Sequence, residues 1–217
     1  MRIICDGTNW HILEEYKISE QSGGTKCDGS LFTWNDVFNP TTGKSWMDRN
    51  LGATQVATSS ADADSYGDLY QWGRLKDGHQ CGNSGTTATL STTDVPGNAT
   101  FITSTGDWRS TQNDNLWQGV SGVNNPCPSG YRLPTETELN AERTSWSSNN
   151  AAGAFASPLK LPMSGYRERT NGSINIVGTG GVYWSSTVSG ASSRDLFFQS
   201  GSASIGTADS RAQASSV

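Results

Sequence analysis

The stretch NPCPSGYRLPTETELNAERTSW, residues 125–146, decides how the second half of the chain folds. Proline and glycine interrupt its first part. Pro134 then directly precedes Thr135, and Glu138 follows three residues after Thr135. These two residues have the capping-box spacing, in which each side chain satisfies an exposed backbone N–H of the other at a helix start. The spacing predicts a helix that begins after Thr135, with Leu139 and Trp146 facing the core.

Another helix is predicted upstream, over residues 60–80, in SADADSYGDLYQWGRLKDGHQ. Leu69 and Trp72, together with Tyr66 or Leu75, fall at spacings that place them along one helical face. Downstream of residue 146 only strand candidates follow, in PLKLPMSGYRE, GGVYWSST and SRDLFFQSGSASIG. The pattern therefore predicts an α+β domain with two helices.

Composition limits the classes of function. Of the 217 residues only 16% are charged, the net charge is −5, and no basic run is present, so the electrostatic footprint of a nucleic-acid-binding protein is missing. No stretch approaches the roughly 18 apolar residues of a membrane span, which predicts no membrane insertion. No cofactor-binding motif is found in the sequence, so no cofactor is expected to bind.

The chain divides into three predicted parts. Residues 1–19 read as a β-hairpin around an Asp-Gly-Thr-Asn turn, and the segment CDGTNWHIL within them resembles the short β segments of phage tail-fibre proteins. Residues 20–30 are rich in Ser and Gly and are predicted to be a linker. Residues 31–217 are predicted to form the main domain, and residues 78–130 within it make an unusually long, turn-rich connection.

Candidate catalytic and metal-binding residues are few. The four cysteines, Cys5, Cys27, Cys81 and Cys127, lack C-x-x-C spacing and are interpreted either as packing residues or as staples between loops. The histidines, His11 and His79, have no nucleophile motif beside them. No catalytic residue and no metal ligand is predicted.

Two further binding signals have a structural alternative. The acidic run of residues 62–68 could supply oxygen ligands to calcium, but it lacks EF-hand spacing, and carboxylates at a helix start are explained by the helix dipole. Tryptophans could stack on sugars, but Trp46, Trp72 and Trp184 are interpreted as core residues.

Five motifs in a fixed order resemble those of one family. They are GKSWMDRNLGA, YGDLYQWGR, NPCPSGYRLPTETEL, LPMSGYRERTNGS and GVYWSST. The chain resembles, from about residue 38 to residue 217, the C-type-lectin-fold domains of bacteria and phages. That group is similar in fold to formylglycine-generating enzymes and includes the variable proteins of diversity-generating retroelements. The resemblance implies a C-type lectin fold with small antiparallel sheets and long irregular loops, whose C-terminal strands display a binding surface.

Alternation along RDLFFQSG, residues 194–201, defines that surface. Leu196 and Phe198 share one face of a strand, and Asp195, Phe197 and Gln199 share the other. If the first pair faces the core, Phe197 is exposed, as an aromatic contact residue among polar neighbours would be.

The resemblance implies that alternate positions of this region are rewritten by the retroelement. The matching contact residues are Ile176, Val182, Phe197, Gln199, Ser202, Ser204, Thr207, Ala208 and Asp209. In the alternative interpretation the small residues among them form only a solvated edge. In such domains the last strand continues into an Arg-Cys pair whose cysteine lies near the one matching Cys127, so this chain is either a fragment or leaves Cys127 single.

The expected function is therefore receptor binding. The chain is predicted to be the tip of a phage tail fibre or a displayed adhesin, located on the virion or at the cell surface. It would recognise a host cell-surface protein or glycan, and as part of a tail fibre it would form a homotrimer. The alternative is an enzyme of the formylglycine-generating type, which a neighbouring sulfatase gene would favour, whereas a neighbouring reverse transcriptase would favour binding.

Overall fold

The computed structural model describes residues 3–5, 10–12 and 21–217, which form an α+β structure with two helices and several small sheets. All strand pairs within these sheets are antiparallel except β8 with β9. The helices are α1, Glu136–Thr144, and α2, Ala151–Ala156. The strands are β1 Ile3–Cys5, β2 Trp10–Ile12, β3 Gln21–Thr25, β4 Leu31–Trp34, β5 Asp36–Asn39, β6 Lys44–Met47, β7 Tyr70–Gln71, β8 Thr86–Thr87, β9 Phe101–Ile102, β10 Tyr166–Arg167, β11 Ile174–Asn175, β12 Gly180–Ser189, β13 Ser192–Gln199, β14 Ala203–Ser210 and β15 Ala214–Ser215.

Helix α1 forms where the capping-box spacing predicts it. The Thr135 hydroxyl accepts a hydrogen bond from the Glu138 N–H at 3.2 Å, and the Glu138 carboxylate accepts one from the Thr135 N–H at 2.9 Å. Arg143 lies in the last turn, where a cation complements the helix dipole. Leu139 and Trp146 are both buried, as predicted.

The prediction of a helix over residues 60–80 is wrong. The region forms only a 3-10 turn, Ala63–Ser65, followed by an irregular segment and β7. Gly67 explains the break, because its φ of +71° is left-handed and a Cβ there would lie 2.4 Å from the Leu51 carbonyl oxygen. The chain must turn here to pass close to another backbone segment, which a helix cannot do.

The second helix is α2, which apolar periodicity does not reveal because it spans less than two turns. The Asn150 side chain caps it by accepting from the Gly153 N–H at 3.1 Å. Gly153 is required because a Cβ at this position would lie 1.8 Å from the Ser148 carbonyl oxygen.

A three-stranded sheet in the order β12-β13-β14 carries the C-terminal region. On one face Tyr183, Leu196 and Phe198 pack against Leu139 and Trp146 in a helix-side core. Leu196 and Phe198 are fully buried, which confirms the alternation predicted for β13.

A four-stranded sheet in the order β11-β10-β15-β7 places the end of the chain at the centre of the fold. Residues 211–216 are all buried, so the small residues of the tail are core residues rather than surface. Trp184 donates to the Tyr70 carbonyl at 2.8 Å, and Trp72 donates to the Ser185 carbonyl at 2.8 Å. These rings belong to a tryptophan core made of Phe32, Trp34, Leu51, Tyr70, Trp72, Trp117, Leu133 and Trp184.

Buried arginines hold the long connection of residues 78–130. Arg74 donates to the carbonyls of Asn98 and Thr100, both at 2.9 Å. The guanidinium of Arg211 lies 4.4 Å from the Trp72 ring centre and pairs with Asp114 at 2.7 Å. These contacts give an irregular segment fixed positions without regular secondary structure.

The segment of residues 21–30 is tied to the main domain by a strand pairing and a disulfide. Strands β1 and β2 pair antiparallel, and residues 1–2, 6–9 and 13–20 of the predicted hairpin and linker lie outside the described residues. Within the predicted linker of residues 20–30, β3 pairs with β4 and Cys27 forms a disulfide with Cys81. These two cysteines are staples, because a covalent bond joins segments 54 residues apart.

Candidate functional site

The outer face of the three-stranded sheet, opposite the helix-side core, holds a groove. Its volume is about 350 Å³, within the range of small-ligand sites. The residues that line it come from both sheets and are Tyr166, Glu168, Arg169, Val182, Asp195, Phe197, Asp209 and Gln213. We call it the C-terminal groove.

Strand register explains which residues meet there. Val182 lies opposite Phe197 across β12 and β13, and Asp195 lies opposite Thr207 across β13 and β14. Opposed residues share a face, and residues two apart on one strand also do. Asp209, two residues after Thr207 on β14, lines the groove.

Three of the predicted contact residues, Val182, Phe197 and Asp209, line the groove. Val182 is only 3% exposed, so it lines the groove as a buried side chain. Phe197 is half-buried rather than fully exposed.

Ile176 lies at the rim of the groove. Its φ is 49°, its side chain is 38% exposed, and its terminal carbon lies 2.6 Å from where a Cβ on Gly180 would be. The Phe197 ring lies 3.4 Å from the same point. Gly180 therefore lets the two apolar side chains approach each other.

Four of the remaining predicted contact residues lie outside the groove. Gln199 and Ser202 are exposed at the turn between β13 and β14, where the Gln199 N–H donates to the Ser202 carbonyl at 2.9 Å. Ser204 and Ala208 are exposed on β14, and Ala208 lies opposite Arg194 on the α1 side. Thr207 is placed only through its backbone pairing. The predicted surface is thus divided among a groove, a turn and a strand.

Asp195 is the most unusual residue of the groove, and the predicted contact set omits it. It is 1% exposed, and its carboxyl lies within hydrogen-bonding reach of Asp209 but accepts no hydrogen bond from an N–H or hydroxyl of the described residues. Burial, and after it the adjacent carboxyl of Asp209, raises the pKa of Asp195 to about 9. At neutral pH Asp195 therefore holds a proton that it can share with Asp209.

Other groove residues complete its polarity. The side-chain amide of Gln213 donates a hydrogen bond to Oδ2 of Asp209 at 2.9 Å. Glu168 and Arg169 follow β10 and are both half-buried. Alternation places Asp195 on the Phe197 face and could have indicated it, whereas Gln213 reaches the groove only through the turn between β14 and β15.

The lone histidine and the free cysteine of the described domain have structural roles. His79 is fully buried; its Nε2 accepts from the Gln71 N–H at 3.1 Å and its Nδ1 lies 2.7 Å from Asp77. Burial lowers the pKa of His79 to about 4, so the ring is neutral.

Burial also raises the pKa of the Cys127 thiol to about 12, and this residue packs against the tryptophan core. The side chains of Cys5 and His11 lie outside what the structure describes.

Carboxylates of the acidic run of residues 62–68 contact other residues of the domain. Hydrogen bonds from the Thr58 backbone and hydroxyl, followed by the one from Gln55, lower the pKa of Asp62. Burial raises the pKa of Asp68 to about 6, and its carboxylate lies 3.1 Å from the sulfur of Cys27. In the described ranges no three His, Cys, Asp or Glu side chains are arranged to hold a metal ion.

The tryptophans do not form a stacking surface. Trp72 and Trp184 are core residues, as predicted, and Trp108 and Trp117 on the long connection are fully buried too. Trp46 is half-buried against the helix-side core. Any sugar bound to this domain would therefore meet other side chains.

Comparison of the chain with protein-family models, with curated proteins and with solved structures gives no match.

Proposed function

We propose that this chain is a receptor-binding protein of the C-type lectin fold, diversified by a retroelement. It acts as the tip of a phage tail fibre or as a displayed adhesin and recognises a host-surface protein or glycan. The observation that carries the proposal is the C-terminal groove, where Phe197 and Asp209 lie beside the buried carboxyl of Asp195.

The division of labour within the sheet supports the proposal. The helix-side face of β13 contributes fully buried Leu196 and Phe198 to the core, whereas the other face carries half-buried Phe197 and exposed Gln199. Residues on the outer face can change while the core side chains stay the same. A protein whose binding residues are rewritten needs this separation, because most core substitutions destabilise.

The formylglycine-generating alternative would need a reactive cysteine pair beside the groove. Cys27 and Cys81 are instead joined to each other, and Cys127 packs in the tryptophan core. The groove is lined by carboxyl, amide and aromatic side chains, which suit recognition.

Binding to cells tests the proposal. Fluorescently labelled protein is incubated with a panel of bacterial strains that includes relatives of the source, and retention is measured by flow cytometry. We expect retention on at least one strain, and Phe197→Ala should weaken it about thirtyfold, as removal of an aromatic anchor typically does. Val123→Ala is the matched control, because Val123 is 68% exposed on the long connection.

The proposal fails if retention by Phe197→Ala equals that of the parent while circular dichroism shows both to be folded. Diversification has a separate test in the genome. A reverse-transcriptase gene and a template repeat that differs at the codons for Phe197, Gln199 and Ser204 are expected nearby; a sulfatase gene in their place would favour the enzyme.

A further inference from the structure

Asp195 is a buried carboxyl whose one polar partner is the neighbouring carboxyl of Asp209. A buried carboxyl that lacks hydrogen-bond donors costs about 1–3 kcal/mol. Arg74, by contrast, donates to Asp77, Gln71 and two backbone carbonyls. Asp195 lines the C-terminal groove, where no N–H or hydroxyl of the described residues donates to it, and a ligand bound in the groove can supply the missing donor.

The surroundings of Asp195 select the charge of that ligand. Asp209 places a second carboxyl beside it, and Glu168 adds a third at the groove wall. The nearby cations are Arg169 in the groove and Arg194 on the same strand. Gln213 donates to only one oxygen of Asp209. Two adjacent carboxyl groups with free acceptor positions favour a ligand that carries positive charge and several donors.

The apolar side of the groove selects the ligand's shape. Phe197 and Val182 lie opposite each other across β12 and β13, and Ile176 stands at the rim. This wall can cover a hydrocarbon chain while the polar end reaches the carboxyls, as long cationic side chains do on protein surfaces.

We infer that the C-terminal groove binds a primary ammonium group, as on a lysine side chain of a partner protein, between the carboxyls of Asp195 and Asp209. On binding, the ammonium replaces the proton that Asp195 carries in the free protein, and that proton goes to solvent. The inference rests on the proposed function, because it states what part of a receptor the groove recognises.

A calcium ion is a weaker fit. Calcium takes six to eight oxygen ligands, whereas the described residues contain no cluster of three acidic, histidine or cysteine side chains placed for a metal. An ammonium has three donors, which two carboxyl groups can accept.

The test is a titration of the isolated chain with Nα-acetyl-lysine amide, followed by NMR shifts of the groove amides. Nα-acetyl-norleucine amide is the matched probe, because it keeps the hydrocarbon stem and lacks the ammonium. We expect saturable binding of the lysine probe and at least about tenfold weaker binding of the norleucine probe, as expected for loss of a charged hydrogen bond. Calcium chloride alone should give no saturable shift.

Protein variants locate the site. Asp195→Asn and Asp209→Asn should each weaken the lysine probe about tenfold or more, since each removes one carboxyl. Asp64→Asn is the control, because Asp64 is exposed on the 3-10 turn and does not line the groove. Circular dichroism confirms folding, and Asp209→Asn, at a half-buried position, is the second variant should Asp195→Asn fail to fold.

Equal binding of the two probes, unchanged affinity in a folded Asp195→Asn or Asp209→Asn variant, or saturable binding of calcium in place of the lysine probe would each overturn the inference. The result is separable from the cell-binding test. Probe binding with no cell retention refutes only the proposed function, and cell retention with no probe binding refutes only the ammonium.

Discussion

Arg74 and Asp195 are both buried titratable side chains, yet their surroundings are opposite. Arg74 is fully buried and donates to Asp77, Gln71 and the carbonyls of Asn98 and Thr100 at 2.8–2.9 Å. Asp195 is 1% exposed and accepts no hydrogen bond from an N–H or hydroxyl of the described residues; its polar neighbour is the carboxyl of Asp209. The difference teaches that the fold holds Arg74 in place with several partners, whereas Asp195 has only a second carboxyl with which to share its proton.

The largest effect is expected at the satisfied position. Arg74→Met should lower the free energy of unfolding by about 3–5 kcal/mol, because it leaves Asp77 without its cation and several buried acceptors without a donor. Chemical denaturation measures the loss. Lys44→Met is the control: Lys44 forms an exposed ion pair with Glu138, worth about 1 kcal/mol or less. Equal losses in the two variants would contradict a structural role for Arg74.

His79 should make the protein sensitive to acid. The pKa of His79 is lowered by burial to about 4 in the folded chain, against about 6.5 when unfolded, so the unfolded chain binds more protons in this window. Stability should therefore fall by roughly 2–4 kcal/mol as pH drops from 6.5 to 4. His79→Gln, which keeps a neutral donor and acceptor, should flatten this part of the pH profile. An unchanged profile would mean that His79 is protonated in the fold.

Asp195 should have the opposite pH dependence. Its pKa is raised to about 9 by burial and by Asp209, so the folded chain binds more protons above pH 4 and loses stability as pH rises towards 9. The other charged groups near it are Arg194 on the same strand and Glu168 and Arg169 in the groove. Relative to Asp195→Asn, the parent should lose about 1 kcal/mol for each pH unit between pH 6 and 8. Parallel profiles for the two proteins would show that Asp195 is ionised.

The smallest effect is expected at the exposed turn and strand. Replacing Gln199, Ser202 and Ser204 together by Ala should change the free energy of unfolding by no more than about 0.5 kcal/mol per site, as for other surface residues. Phe198→Ala, on the opposite face of β13, should cost about 3–5 kcal/mol through the cavity that it leaves in the helix-side core. Similar melting temperatures for both proteins would contradict the division of the sheet into a core face and a binding face.

The parts of this fold that depend on interactions between neighbours in the chain could be predicted from the sequence. The capping box at Thr135 and Glu138 involves neighbours in the chain, so its spacing alone predicted α1. Alternation in β13 likewise predicted that Leu196 and Phe198 share a face opposite to that of Phe197, and the structure buries that pair in the core. The helix over residues 60–80 was mispredicted because Gly67 is constrained by a backbone segment distant in sequence, at Leu51.

The sequence by itself determined where α1 begins, that Leu196 and Phe198 share a face of β13, and that the domain is α+β, because each depends on the order of neighbouring side chains. Only the tertiary structure decided that residues 211–216 are buried, that β15 lies inside a sheet and that Cys27 meets Cys81. It also decided that Asp195 is enclosed beside Asp209 at the base of a groove. Burial and pairing between distant segments depend on how the sheets pack, and no local pattern of residues encodes that distance.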